Sequence, residues 1–92
     1  MSILEEIDEF VKSMPTDYEF LTRWFKTKLS QEYNRSMDSY IPSDYCYNRK
    51  NNGIDYKKQT HYFLYISRGI YKYVGKNYFY DGIIEHNPRK KK

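Results

Sequence analysis

Apolar residues recur at helical spacing over the first fourteen positions of the chain, and most positions between them are charged. This pattern predicts an amphipathic helix whose acidic side chains face solvent. Ser2 and Glu5 have the spacing of a capping box, which favours a helix start at Ser2. Pro15 follows the last apolar position and predicts the end of this helix. The apolar stripe consists of Ile3, Ile7, Phe10, Val11 and Met14.

A second helical pattern follows almost at once. Thr16 and Glu19 repeat the capping-box spacing, and apolar residues then recur at helical intervals up to about Tyr33. Trp24 and Phe25 lie on this apolar stripe, so we expect them in the core rather than in a ligand site. The segment 34–36, Asn-Arg-Ser, is typical of a short turn.

Residues 39–51 are interpreted as a third helix. Asp38 or Ser39 can cap it, because both are preferred at helix starts. Pro42 is tolerated in the first turn, where N–H groups have no intrahelical partner. Gly53 supplies a left-handed stop after the last turn.

The composition of this third helix suggests recognition of nucleic acid. Tyrosines, amides and cations can stack on bases, hydrogen-bond to base edges or bind phosphate. We predict that Ile41, Tyr45 and Cys46 pack inward, while the opposite face is exposed to solvent. The candidate nucleic-acid-binding residues of this helix are Ser43, Tyr47, Asn48, Arg49, Lys50 and Asn51.

From residue 60 onward the pattern changes to that of strands. Segments 60–66 and 70–74 are rich in β-branched and aromatic residues, and Ser-Arg-Gly lies between them, which predicts a β-hairpin with a bulge. Residues 78–80 are interpreted as a short third strand. We expect a domain over residues 1–85 and a basic, disordered tail over residues 86–92.

Three helices followed by a β-hairpin is the element order of a winged helix-turn-helix, an α+β fold. In that fold the third helix enters the major groove of DNA, and the hairpin contacts the DNA backbone. Helix 39–51 is then the helix in the major groove. Arg68 at the predicted hairpin tip, with Lys72 nearby, completes the set of candidate nucleic-acid-binding residues.

The string Pro-Ser-Asp-Tyr-Cys-Tyr-Asn-Arg at 42–49 also carries a resemblance, together with Asn-Gly at 52–53 and the hairpin sequence 63–71. It is similar to a little-characterised group of small bacterial and phage winged-helix domains. The resemblance covers roughly residues 1–80. It implies a winged-helix fold and DNA binding, and it places such domains alone or beside restriction and mobile-element modules.

Charge is distributed unevenly along the chain. Residues 1–33 carry a net charge of −3 and residues 34–92 carry +7, with Arg89 and the three lysines after it supplying more than half of the excess. A basic half favours a polyanionic partner. The single cysteine cannot form an internal disulfide, and we find neither a signal peptide nor an apolar run long enough to span a bilayer. We therefore expect a cytoplasmic protein without membrane association.

Other kinds of site have weaker support in the sequence. Cys46, His61 and His86 lack the paired spacing of metal ligands, and Cys46 is better interpreted as a buried structural thiol than as a nucleophile. There is no glycine-rich phosphate loop. We expect no enzymatic activity, no cofactor and no metal.

Two functions from different classes remain after these exclusions. In the first, the chain is a small DNA-binding regulator of phage or mobile-element origin that binds double-stranded DNA, with a homodimer among the open oligomeric states. In the second, it is an anti-defence inhibitor of the anti-CRISPR type that binds a host protein complex. Tyrosine and arginine serve both, since both are enriched at protein interfaces. Salt dependence separates the two, because DNA binding weakens steeply as salt rises.

Overall fold

The computed structural model describes residues 1–51 and 53–87, and two α-helices and five strands are assigned within them. The helices are α1 (Ile3–Val11) and α2 (Thr22–Tyr33). The strands are β1 (Glu19–Leu21), β2 (Arg49–Asn51), β3 (Phe63–Ser67), β4 (Ile70–Tyr73) and β5 (Glu85–Asn87). Between α2 and β2 the chain forms two short 3₁₀ helices, Met37–Ser39 and Pro42–Tyr45.

Helix α1 begins with the predicted capping box. The Ser2 hydroxyl accepts a hydrogen bond from the Glu5 backbone N–H at 3.1 Å, and the Glu5 carboxylate accepts one from the Ser2 N–H at 2.8 Å. Two otherwise unpaired donors are thereby satisfied at the helix start. Ile7 and Val11 on its inner face are buried, and the helix ends before Pro15. The sequence prediction for this element is confirmed.

Glu6 on α1 ties the N-terminus of the chain to the segment after α2. Its buried carboxylate accepts hydrogen bonds from Arg35 Nε at 2.9 and 3.0 Å and from the Tyr40 hydroxyl at 2.6 Å. The bond from Arg35 lowers the pKa of Glu6, against the opposing effect of burial. Burial, with the bond to Glu6, raises the pKa of Tyr40 to about 12. The carboxylate therefore keeps its charge inside the fold because its partners satisfy it.

The second helix begins five residues later than its capping-box pattern predicts, with Leu21 and not Thr16 at the N-cap. Asp17 adopts a left-handed conformation with φ of 70°, and residues 19–21 form the strand β1 instead of a first helical turn. Phe20 is buried there and lies opposite Tyr71 of β4. Pairing with a distant strand outweighs the local helix signal. The predicted end of the helix is confirmed, since α2 ends at Tyr33 with Asn34 as a left-handed cap.

The predicted third helix, 39–51, does not exist. Residues 42–45 form a short 3₁₀ helix, and residues 49–51 form β2. The backbone between them pairs with β3 and the residue before it: Tyr62 N–H donates to the Tyr45 carbonyl at 2.8 Å, and Tyr47 N–H donates to the Phe63 carbonyl at 2.9 Å. The side chains of residues 45–47 are all buried. In a surface helix at least one of these three consecutive side chains would face solvent. An extended segment that packs between other elements on both faces can bury all three.

The winged helix-turn-helix prediction is therefore wrong, because the helix that would enter the major groove is missing. The structure is a compact α+β fold with two sheets. The larger sheet is antiparallel with strand order β1-β4-β3, and the smaller sheet pairs β2 with β5 in parallel. The hairpin of β3 and β4 is confirmed, with a register irregularity after Tyr65 and with Gly69 at a φ of 77°.

Strand β5 was not predicted, and the short strand predicted at 78–80 is not formed. Residues 85–87 pair with β2 instead, in a contact that joins positions 36 residues apart. The basic residues 89–92 of the predicted tail lie outside the described residues.

The core lies between α1, α2 and the inner face of the larger sheet and is built from aromatic rings. Phe63 of β3 makes edge contacts with Phe20 at 5.2 Å and with Phe25 at 5.4 Å between ring centroids. Phe20 also stacks on Phe25 and on Tyr71. Edge and offset contacts of this kind add to the burial of large apolar area. The tyrosine-rich composition is thus used inside the fold and not only on its surface.

Candidate interaction surface

Asn48 is committed to the backbone of β3. Its side-chain amide nitrogen donates to the Tyr65 carbonyl at 3.0 Å, and its amide oxygen accepts from the Tyr65 N–H at 2.8 Å. The amide thereby replaces the backbone of a neighbouring strand at the outer edge of β3. A side chain that reads adenine needs the same donor and acceptor for the base. Both are already used within the protein.

Asn51, Ser43 and Tyr47 are likewise engaged. The Asn51 amide nitrogen donates to the Ser43 hydroxyl at 2.7 Å and to an Asp44 carboxylate oxygen at 2.6 Å, and the Asn51 side chain is buried. Tyr47 is also buried and donates its hydroxyl to the Gly75 carbonyl. The expected exposed row of Ser43, Tyr47 and Asn51 is therefore not present. Their assignment as nucleic-acid contacts stays a prediction, without support from their geometry.

Arg49 clamps β5 against the hairpin. Its guanidinium carbon lies 3.9 Å from the centroid of the Tyr65 ring, and Nη1 lies 3.3 Å from a Glu85 carboxylate oxygen. The side chain is only 17% exposed, and its Nε is buried without a hydrogen-bond partner. Stacking on a ring and pairing with a carboxylate are both ordinary roles of arginine. Lys50, next in the chain, is exposed.

The two hairpin cations have different surroundings. Arg68 is exposed in the turn, as predicted. Lys72 is half-buried on β4, with Glu19 and Leu64 as its partners across the neighbouring strands. Of the eight predicted contact residues, Lys50 and Arg68 are the exposed cations.

Residues 1–88 carry no net charge. The sequence has 16 basic and 12 acidic residues, and four of the basic ones are Arg89, Lys90, Lys91 and Lys92. The remainder has 12 of each sign. Non-specific binding to DNA depends on phosphate neutralisation by an excess of cations. In this chain that excess belongs entirely to residues 89–92, outside the described part.

A different surface is unusual for its exposed apolar side chains. The connection between β4 and β5 contains Phe79, which is 81% exposed, and Ile83, which is 82% exposed. Ile66 of β3 is also exposed and lines a shallow groove with Ile83, Tyr65, Asn48 and Glu85. Single exposed apolar residues are normal, but several large ones on one connection mark an interaction site. We define the candidate interaction surface, called the interaction surface below, by the exposed side chains Ile66, Phe79 and Ile83.

This surface was not predicted from the sequence. Phe79 and Ile83 are the residue types that normally predict burial, and the first lies in the predicted strand 78–80. The local signals were two turn sequences, Gly-Lys-Asn at 75–77 before Phe79 and Asp-Gly at 81–82 directly before Ile83.

His61 lies in a cluster of aromatic rings with Tyr47 and Tyr56. Its ring centroid is 4.3 Å from that of Tyr56 and 5.3 Å from that of Tyr47. His61 Nε2 lies 3.1 Å from the Tyr56 carbonyl, which can only accept, so Nε2 carries the proton. Nδ1 is then an unprotonated nitrogen, buried without a partner. Burial lowers the pKa of His61 below its usual 6.5, with the Tyr56 carbonyl opposing the shift.

This environment predicts acid sensitivity. With a folded pKa below 6.5, the unfolded chain binds the proton more readily, so stability is complete above about pH 6.5 and falls as pH decreases below it. Urea unfolding at intervals between about pH 7.5 and pH 5 measures the slope of the unfolding free energy against pH. In the variant His61→Asn the slope should shrink, while the matched variant His86→Asn should keep it. An equal slope in His61→Asn and the parent protein would contradict the assignment.

Cys46 is a buried thiol. It is fully inaccessible, its Sγ lies 3.6 Å from the Pro42 carbonyl, and burial raises its pKa. A protonated and inaccessible thiol is a poor nucleophile and a poor metal ligand. Across residues 1–51 and 53–87, no group of three or more His, Cys, Asp and Glu side chains is placed to hold a metal ion.

Among the helices in the described part of the chain, none is both long and apolar enough to span a bilayer.

Comparison with known proteins assigns a family. The chain belongs to the family described as a domain of unknown function, DUF7225, which matches residues 2–92. The uncharacterised protein YnaC of Bacillus subtilis (strain 168) is 42% identical over 84 residues, covering 91% of this chain and 31% of YnaC. The chain thus spans about a third of the length of this curated relative. No solved structure matches the chain significantly.

Proposed function

We propose that this member of the DUF7225 family is a protein-binding domain that docks through the interaction surface around Phe79 and Ile83. The observation that carries the proposal is the exposure of these two side chains, above 80% each, in one connection. Aromatic and large aliphatic side chains supply most of the affinity at protein interfaces when they enter a partner's pocket. A host defence complex, as in the inhibitor hypothesis, is one class of partner that this surface could bind.

Two further observations support a protein partner over DNA. The side-chain amides of Asn48 and Asn51 were predicted to hydrogen-bond to DNA bases. Both amides form hydrogen bonds within the protein. Residues 1–88 also have no net charge, so they lack the general attraction to phosphate that nucleic-acid-binding domains have. We propose the cytoplasm as its compartment, consistent with a single unpaired cysteine.

DNA binding is the second candidate, and one observation favours it. Arg68 is exposed at the hairpin turn, and four consecutive cations occupy residues 89–92. Such contacts bind phosphate without reading sequence. On this alternative, affinity for a random duplex is high at low salt, falls with Arg68→Ala and weakens steeply as salt rises, but is still measurable near physiological salt.

Site-specific photocrosslinking tests the proposal. A photoreactive amino acid is placed at position 79 or 83 of the full chain in the cells that produce it, with position 31 on α2 as an exposed control. We expect discrete protein adducts from positions 79 and 83 and none from position 31. Purified Phe79→Ser and Ile83→Ser should unfold like the parent protein, because neither side chain is buried.

The competing outcomes are distinct. Adducts with nucleic acid, or retention of a random duplex at about 150 mM salt, would support DNA binding and overturn the proposal. Adducts equally frequent at position 31 would show that the apolar residues do not direct docking.

A further inference from the structure

The outer edge of β5 has free hydrogen-bonding groups. Glu85 N–H donates to the Asn48 carbonyl at 3.1 Å, and Lys50 is paired with His86 in the parallel register. In a parallel ladder, alternate residues point their N–H and C=O groups to the same side. Since the groups of Glu85 face β2, those of His86 point away from it. Within residues 1–51 and 53–87, nothing hydrogen-bonds to the backbone of His86.

Within residues 1–51 and 53–87, the edge of β5 is the open edge of the smaller sheet. A parallel sheet of two three-residue strands is far below the usual size, and parallel strands are normally covered on both sides. On the other side of β2 lies the 3₁₀ helix Pro42–Tyr45, to which Asn51 is hydrogen-bonded through Ser43 and Asp44. The open edge of β5 is therefore the place where a further strand can add.

Grooves flank β5 on its two faces. Successive residues of an extended chain point to opposite faces, so Ile83 and Glu85 share one face while Ile84 and His86 share the other. The first groove, of about 340 Å³, is lined by Asn48, Tyr65, Ile66, Ile83 and Glu85. The second, of about 440 Å³, includes Lys50, Lys57, Ile54, Tyr56, Ile84 and His86.

The two grooves differ in charge. In the first, the carboxylate of Glu85 is paired with Arg49, and the remaining exposed lining is mainly Ile66 and Ile83. In the second, Lys50 and Lys57 are exposed and form no ion pair among the described residues, while Asp55 is the one acid beside them. A strand added at β5 would thus present its alternate side chains to an apolar groove and to a basic one.

We propose that β5 accepts an extended peptide segment of a partner protein as the third strand of the smaller sheet. The peptide alternates apolar and acidic residues: the apolar ones lie beside Ile66 and Ile83, and the acidic ones lie beside Lys50 and Lys57. Backbone hydrogen bonds to His86 supply affinity, and the two grooves supply selectivity. This inference rests on the proposed function and specifies how the partner is bound.

Peptide selection tests the alternation. A library of random decapeptides displayed on phage is selected against the full chain. We expect enriched peptides in which acidic and apolar residues alternate. Selection against the double variant Lys50→Glu, Lys57→Glu should enrich basic residues in place of acidic ones. Enriched peptides with helical spacing, or the same peptides from both proteins, would overturn the proposal.

Two variants of His86 test the backbone bonds. His86→Pro removes an N–H that the fold does not use, whereas His86→Ala keeps it. An enriched peptide should bind His86→Pro at least tenfold more weakly and His86→Ala almost as well as the parent, with equal melting temperatures. Amide exchange should also show that the peptide protects the His86 N–H. Equal binding by both variants, with no protection of His86, would exclude strand addition.

Failure of strand addition and failure of the proposed function are distinguishable. Photocrosslinks from positions 79 and 83 without enriched alternating peptides would overturn strand addition and leave protein binding supported. Absence of both would overturn both. Dimerisation that rises with concentration and is lost in His86→Pro would show that the added strand comes from a second copy of this chain and not from a partner protein.

Discussion

Replacement of Asn48 by alanine is expected to lower the free energy of unfolding by about 1–2 kcal/mol. The substitution leaves the N–H and the C=O of Tyr65 without their side-chain partner at a partly buried site. An unsatisfied backbone group in such a site costs about 1–3 kcal/mol, and partial access to water reduces this cost. Urea titration of the purified variant measures the effect.

The matched control for this variant is Lys50→Ala, two residues along the same segment. Lys50 is exposed, so its replacement should change the unfolding free energy by less than about 0.5 kcal/mol. If Asn48 instead reads a base, Asn48→Ala should be as stable as the parent and should lose discrimination between duplexes. That result would restore the motif to a recognition role.

Replacement of Phe63 by alanine is expected to have the largest effect on stability, about 3–5 kcal/mol. Phe63 is fully buried and contacts the rings of both Phe20 and Phe25. Its loss leaves a cavity where the larger sheet meets α2. The variant should unfold at a much lower temperature than the parent protein. Thermal unfolding followed by circular dichroism measures the difference in melting temperature.

Phe63→Leu is the control for this prediction. Leucine keeps most of the buried volume and loses the two ring contacts, so a smaller loss, about 1–2 kcal/mol, is expected. Equal losses in the alanine and leucine variants would show that ring contacts, and not cavity formation, dominate at this position. No loss in either variant would contradict the position of Phe63 at the centre of the core.

The predictions that held depended on short-range interactions. The capping box joins Ser2 to Glu5 within one turn, and the hairpin of β3 and β4 closes through the two-residue connection Arg68-Gly69. Such signals lie within a few residues of one another, and the sequence alone displays them.

The helix predicted at 39–51 failed because its competitors are distant in the chain. The partner of Asn48 is Tyr65, 17 residues away, and Arg49 is paired with Glu85 after 36 residues. Pattern and capping residues report only local preference, which tertiary pairing can override. The exposure expected of Asn48 and Asn51 failed for the same reason, since both side chains hydrogen-bond within the fold.

The inaccessible thiol of Cys46 has a practical consequence. Since the sequence contains one cysteine, any thiol reagent that labels the chain reports on this position alone. The residue lies between the 3₁₀ helix and β3, so labelling requires that segment to detach from the hairpin. The labelling rate in native buffer therefore measures how often this part of the molecule opens. Labelling of Cys46 thus reports the rate of partial opening in the unmodified protein, without an added probe.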